Sequence, residues 1–228
     1  MTAIVVLSGG IDSTAALARA IRARDRHNGP PVQALTFRYG QTHQAPETLA
    51  AANVAAHYGI PHDMATLDGL FDPSRSALTG ASSIPEGKYD DQTMAATVVP
   101  GRNLLFAAAA VARAAPGDEV HLGVHAGDHH LYPDCRPEFW DGLRGTVNAA
   151  YGVQLVTPYL HASKAQIIAD AAKSGAPLDL SWSCYAGRAT HCGRCGTCVG
   201  RAASFHAAGV PDPTVYESPN FWKEPACS

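Results

Sequence analysis

Short apolar runs alternate along this chain with longer stretches whose apolar residues recur at helical spacing. Ile4 to Leu7 is short and rich in β-branched residues, which predicts a buried strand, and the alanine-rich stretch Ala15 to Arg24 predicts a helix. His27 to Pro31 supply a turn, Val32 to Phe37 read as a second strand, and Pro46 suits the first turn of a helix running to about His57. Ile60 to Leu67 is a third strand. Leu104 to Ala115 is an almost wholly apolar and therefore buried helix, and Glu119 to Val124 and Val153 to Val156 are the fourth and fifth strands. Ser163 caps a helix from Lys164 to Lys173 that stops at Gly175. Strands alternating with helices predict an α/β fold, a Rossmann-like parallel sheet flanked by helices. From Asp72 to Val98 the pattern lapses into Ser, Thr, Gly, Pro and charged residues over a length unusual for a connection. Residues 72–98 are expected to be a lid or insertion over a site, or else a surface loop.

The joint between the first strand and the first helix reads Ser8-Gly9-Gly10-Ile11-Asp12-Ser13-Thr14. Adjacent glycines let a bound group approach the backbone, and N–H groups at a helix start, beside the Ser8, Ser13 and Thr14 hydroxyls, form an anion seat. The spaced glycines of a dinucleotide fingerprint and the Gly-Lys-Ser/Thr ending of a Walker loop are both absent. With no lysine to hold a γ-phosphate, the loop suits a nucleotide whose pyrophosphate departs. It resembles the PP-loop of the ATP pyrophosphatase superfamily, whose members adenylate a substrate. Leu7, Ser8, Gly9, Gly10, Ile11, Asp12, Ser13 and Thr14 are the expected ATP contacts. Asp12 and Ser13 are expected in catalysis, Asp12 by placing a magnesium ion or ordering the loop.

In open parallel sheets ligands bind beyond the carboxyl ends of the strands, which makes Tyr39, Gln41 and His43 candidate substrate contacts or, alternatively, loop residues capping the sheet. Gly101-Arg102 precedes the apolar helix, and the Arg102 guanidinium suits a phosphate or carboxylate. After the fourth strand come His125, Asp128, His129, His130, Tyr132, Asp134, Arg136 and Glu138. Their spacing matches no standard metal pattern, so hydrogen bonding to substrate is the preferred reading for Asp128, Tyr132, Asp134, Arg136 and Glu138. Lys164, in a first helical turn, has the reach for a phosphate.

Composition narrows the class. Hydrophobic residues make up 46% and charged residues 16%, and no apolar run approaches a membrane span. The N-terminus enters the first strand with no basic segment or apolar signal core, so a cytoplasmic location is expected. With 17 basic against 20 acidic residues and no basic block, a nucleic-acid partner is not expected. Four of the six cysteines, Cys184, Cys192, Cys195 and Cys198, crowd toward one end at spacings that fit a closed tetrahedral zinc site of structural purpose. An iron–sulfur cluster and a disulfide or redox pair are the rival readings. Cys135 sits among the candidate site residues, and Cys227, near the end, reads as a spare thiol. The expected division is an ATP-binding α/β domain over 1–180 and a four-cysteine zinc-binding region over 181–228.

Taken in order, the stretches Ser8 to Ser13, Tyr39-Gly40-Gln41 with His43, Val99 to Asn103, Tyr132 to Phe139, Ser183-Cys184-Tyr185 with the cysteines, and Asp212-Pro213-Thr214 with Tyr216 resemble the QueC family of queuosine biosynthesis. The resemblance runs nearly end to end. It implies a carbon–nitrogen ligase that converts 7-carboxy-7-deazaguanine and ammonia to the 7-cyano compound, preQ0. Zinc is bound, and ATP is split to AMP and pyrophosphate in two adenylations with an amide between them. It further implies that Ser8, Gly9, Gly10, Asp12 and Ser13 hold ATP phosphates, that Arg102 stabilises charge, that Asp134, Arg136 and Glu138 orient the deazaguanine, and that the protein is a homodimer. Two places depart from the common family pattern. Thr42 and Pro46 stand where many members have arginine and glutamate, with a glutamate only at Glu47, and the fourth-strand loop carries His125, His129 and His130 around Asp128. A variant that stops at the amide or serves DNA or protein modification stays open. So do a PP-loop sulfurtransferase that thiolates tRNA, which needs a reactive cysteine, and a binding module whose cysteine ribbon contacts nucleic acid.

Overall fold

In the computed structural model residues 1–224 are described. Cys227 lies outside them. Five strands form one parallel sheet in the order β3-β2-β1-β4-β5: β1 Ala3–Val6, β2 Val32–Arg38, β3 His62–Thr66, β4 Glu119–His121 and β5 Gln154–Val156. The helices are α1 Ile11–His27, α2 Gln44–His57, α3 Asp91–Met94, α4 Arg102–Val111, α5 Pro137–Tyr151, α6 Lys164–Lys173 and α7 Gly196–Ala208. The expected Rossmann-like architecture is the one observed.

Side chains of β1 alternate between two cores, as a strand covered on both faces requires. Ile4 and Val6 join Leu35, Phe37, Val120 and Trp140 under α4 and α5, whereas Ala3, Val5 and Leu7 pack with Leu17, Ile21 and Val54 under α1 and α2. A third core between α1, α6 and α7, around Ile11, Ile167, Ile168 and Phe205, joins the C-terminal region to the sheet domain. The expected boundary near residue 180 is therefore a change of architecture across a packed surface. Arg201, 2% exposed, bridges it by donating to Ser181 Oγ, Ser183 Oγ and the Leu178 carbonyl.

Several bounds differ from the sequence reading. α1 begins at Ile11 rather than Ala15, which shortens the phosphate loop to Ser8–Gly10 and puts Asp12, Ser13 and Thr14 in the first helical turn. β4 stops at His121, and Leu122 to Val124 leave the sheet as chain running toward the site. Helices α5 and α7 are additional to the sequence reading: α5 is amphipathic but opens at Pro137 within a stretch read as ligand contacts, and α7 overlaps the cysteine run. Residues 72–98 hold short 3₁₀ turns at 73–75, 77–79 and 95–97 besides α3, and Leu78, 0% exposed, packs with Tyr39 and Val99. No single helix among the described residues is long and apolar enough to cross a membrane.

Candidate active site

The strand order turns back at β1, so the chains leaving β1 and β4 part to opposite sides and open a crevice at their carboxyl ends, the place such sheets bind ligands. A cavity of about 450 Å³ occupies it, in the size range of small-molecule sites. Two glycines let the backbones close up there. Gly9 has φ +83°, and a Cβ on it would meet Ala51 N and Glu47 O at 2.7 Å; one on Gly123 would meet Ser13 N at 2.8 Å.

At one end of the cavity the first turn of α1 starts without a side-chain cap, because its N-cap is Gly10. Its leading N–H groups are free to receive an anion. The serines shape the loop: Ser13 Oγ donates to the Gly10 carbonyl and accepts from Ser8 N–H, and Ser8 Oγ accepts from Gly10 N–H. Trp182 N–H donates to the Gly9 carbonyl at 2.8 Å, fastening the C-terminal region to the loop. Lys164 Nζ stands 2.5 Å from Asp12 Oδ2. Burial pushes the Asp12 carboxyl up, but the Lys164 ammonium outweighs it and holds the group below its ordinary value. Asp12 Oδ1, shielded from solvent, has no partner among the described residues. A free carboxylate oxygen beside a phosphate seat fits one position of a magnesium ion.

His125, 2% exposed, lines the wall between β4 and α1. Its Nδ1 accepts from Gly127 N–H, so the proton sits on Nε2, which lies 3.4 Å from Asp128 Oδ2 and 3.7 Å from Asp12 Oδ2. Burial, reinforced by Lys164, lowers its pKa, leaving it neutral.

The other end is aromatic and holds an unpaired cation. Arg102 opens α4 and points among Tyr39, Phe106 and Tyr185; its one hydrogen bond among the described residues is a 3.4 Å contact to Tyr39 Oη, and no carboxylate pairs with it. A guanidinium in such a place attracts an anion with paired acceptors. Burial raises the Tyr39 pKa to about 12, so the phenol stays neutral. Glu47 also lines the cavity, its Oε2 accepting from Gln41 Nε2 at 2.9 Å and lying 3.8 Å from His43 Nε2. Burial holds His43 neutral, and its ring lies against Tyr185.

Of the residues singled out in the sequence, Leu7, Ser8, Gly10, Ile11, Asp12, Ser13, Tyr39, His43, Arg102, Asp128 and Lys164 line this one cavity. Others stand behind it. Thr14 is buried in the helix; Gln41 braces Glu47; Gly101 forms the exposed N-cap of α4; and the Tyr132 hydroxyl meets Thr97 Oγ1 at 3.0 Å. Asp134, Arg136 and Glu138 are also outside the lining. Asp134 caps the Asn103 N–H at 2.9 Å, the exposed Arg136 donates to the His129 carbonyl, and Glu138 is exposed on the first turn of α5. In this arrangement Asp134 braces the start of α4, and Arg136 and Glu138 stand at the surface around the start of α5. Sequence reasoning missed Phe37, Glu47, Tyr89, Phe106, Trp182 and Tyr185 as lining residues. Trp182 and Tyr185 flank Cys184, whose spacing drew the attention.

The four cysteines are all buried, and their sulfurs lie within 4.8 Å of one another. Cys192 and Cys198 Sγ are 3.9 Å apart, close to the about 3.8 Å edge of a tetrahedron with zinc–sulfur bonds. The N–H groups of Arg194 and Cys195 point at Cys192 Sγ, and that of Cys192 at Cys184 Sγ, as suits thiolates. The donors fit a metal such as zinc; among the described residues there is no disulfide. Cys135, in the cavity, accepts from Asn103 Nδ2, and burial pushes its thiol far above the ordinary value, so it is no resting nucleophile.

Fold and cavity together define a parallel α/β protein with a small-molecule-sized cavity at the carboxyl ends of its strands and a four-cysteine site in its C-terminal region. The chain belongs to the QueC family: the family described as queuosine biosynthesis protein QueC matches residues 2–209. It is 44% identical over 230 residues to a 7-cyano-7-deazaguanine synthase of Brucella anthropi, covering 98% of this chain and 97% of that one. Proteins of the same name from Rhizobium johnstonii and Paracoccus denitrificans are 45% and 43% identical; 98% of this chain is covered in each case, with 95% and 97% of theirs.

Proposed function

We propose that the chain converts 7-carboxy-7-deazaguanine and ammonia to 7-cyano-7-deazaguanine, with two ATP each split to AMP and pyrophosphate. The observation that carries this reading is one cavity holding both an uncapped helix start beside Asp12 and Lys164 and, at its other end, the unpaired Arg102 guanidinium. That is a phosphate seat and a carboxylate seat within reach of each other. Relatives matching nearly end to end carry the corresponding name.

In the first half, a carboxylate oxygen attacks the α-phosphorus and pyrophosphate leaves toward the start of α1. Ammonia then attacks the acyl carbon, AMP departs with that oxygen, and a proton is lost. In the second half the amide oxygen attacks a second α-phosphorus; departure of AMP with this oxygen and of two protons from nitrogen leaves the nitrile. Lys164 and the first turn of α1 offset phosphate charge, and Arg102 positions the carboxylate and then the amide oxygen. The aromatic walls at Phe37, Phe106 and Tyr185 suit a flat heterocycle and exclude water that would hydrolyse an acyl adenylate. Asp12, through its free oxygen, would hold magnesium, which supplies charge neutralisation on the triphosphate. Cys184, Cys192, Cys195 and Cys198 would hold zinc, which with four thiolates has no open position and serves structure. A cytoplasmic homodimer acting on small molecules completes the reading.

The test is nucleotide and product analysis after incubation with ATP, magnesium, ammonia and 7-carboxy-7-deazaguanine. AMP with the nitrile is expected. Amide as the final product would favour the truncated variant, and ADP in place of AMP would discard the adenylation.

A further inference from the structure

Residues 86–94 reach the cavity from outside the sheet, and they lie on the segment that holds the four cysteines. Gly87 N–H donates to the Arg194 carbonyl at 2.9 Å, and Glu86 faces Cys195 across an isolated antiparallel bridge. The Glu86 carboxylate takes the Arg194 Nε–H at 2.8 Å. One turn apart, Gly196 and Gly200 leave bare backbone on α7. A Cβ at Gly196 would stand 2.5 Å from Met94 Sδ, and one at Gly200 would stand 3.1 Å from Tyr89 Cβ. Gly200 is inside the helix, where glycine is a poor helix former, so its presence calls for a packing reason. The seated Tyr89 supplies it.

From that seat the Tyr89 hydroxyl donates to Asp128 Oδ1 at 2.7 Å. The other Asp128 oxygen faces His125 Nε2, which faces Asp12 in turn. A second contact, Asp91 to His130 at 3.2 Å, ties the same segment to the same loop. A continuous set of contacts therefore leads from the cysteine segment through Tyr89 to Asp128 in the cavity wall, with His125 between Asp128 and Asp12. We propose that Tyr89 is a positioning residue of the active cavity: seated on Gly200, one turn from Met94 on Gly196, and fastened through Glu86 and Gly87 to the metal-holding segment, it orients Asp128, so that metal loading at the cysteines is felt in the cavity wall.

Hydrogen exchange followed by mass spectrometry on the zinc-loaded full chain tests the fastening. Withdrawing zinc with a chelator should raise exchange in 86–94 before it rises in β1 and α1. Gly200→Leu, with zinc content unchanged, should raise exchange in 86–94 several-fold, and Glu86→Gln, which alters only a surface ion pair, should raise it in the same direction. Tyr89→Phe keeps the ring in its seat; exchange should stay at the wild-type level while kcat falls about tenfold, the scale of one hydrogen bond to a charged group, with KM for the carboxylate substrate nearly unchanged. Wild-type exchange in 86–94 after chelation, in Gly200→Leu or in Glu86→Gln overturns the fastening, and wild-type kcat in Tyr89→Phe overturns the positioning role. The kinetic arm rests on the reaction proposed above. Absence of AMP release from the unsubstituted enzyme would strike at that reaction, and exchange would still decide the fastening.

Discussion

Single residues decide this site because two charges in it lack ordinary partners. Among the described residues no carboxylate is in ion-pair contact with Arg102, and Asp12 keeps one oxygen free after Lys164 has taken the other. Arg102→Ala should therefore lower kcat/KM by at least about a hundredfold, while Arg102→Lys, which keeps the charge and loses the fork, should recover little of it. Steady-state kinetics with varied carboxylate substrate decide the matter; full activity in Arg102→Lys would mean that charge alone suffices. Asp12→Ala should abolish AMP release and leave zinc content intact, since the cysteines lie elsewhere. Part of this scale was legible: the strand-to-helix joint and the lone arginine ahead of an apolar helix, singled out far apart in the sequence, meet in one cavity. Asp134, Arg136 and Glu138 show the limit. Three charges within five residues read as a recognition cluster, whereas in the fold Asp134 caps the Asn103 N–H and Arg136 and Glu138 are exposed, placements that tertiary structure decides.

Elements with a strong local signal are the ones the sequence predicts well. Ser163 forms a full capping box with Gln166, each side chain meeting the other's backbone N–H, and α6 begins where its pattern says. Ser163→Ala should cost about 1 kcal/mol, seen as a melting temperature lower by a few degrees; no shift would mean that packing against α1 alone sets the start of the helix. The α1 start escaped the same logic, because its N-cap is Gly10, which has no side chain to signal where the helix begins. Helix α5 escaped it because its start, Pro137 and Glu138, lay in a stretch read for chemistry, and α7 because glycines and cysteines occupy positions where apolar periodicity would otherwise show. The cysteine element was legible from spacing alone. Cys195→Ser should lower both zinc content and thermal stability, since it opens a closed set of four donors; metal analysis of the purified variant checks this.

Across the whole molecule, several histidines lie inside and neutral. Burial lowers the pKa of His43, His121 and His125 from the ordinary 6.5, against nearby carboxylates in each case. The folded chain therefore binds fewer protons than the unfolded one once the pH drops below about 6.5. Their contribution to stability is present in full above that pH and is lost as the pH falls toward the lowered values. Melting temperature should drop by several degrees between pH 7.5 and pH 5.5, and a flat profile would mean that these rings are solvated. At this scale the α/β order was readable from alternating strands and helices. What only the fold supplies is the return of the C-terminal region, by which Trp182 and Tyr185 close a cavity begun at Leu7.

The central claim is that both oxygens of the substrate carboxylate leave on AMP. Supplying 7-carboxy-7-deazaguanine with both carboxylate oxygens as oxygen-18, and reading AMP and product by mass spectrometry, tests it directly. Each AMP should carry one labelled oxygen and the nitrile none; unlabelled AMP, or label released into water or into ADP, would contradict the account.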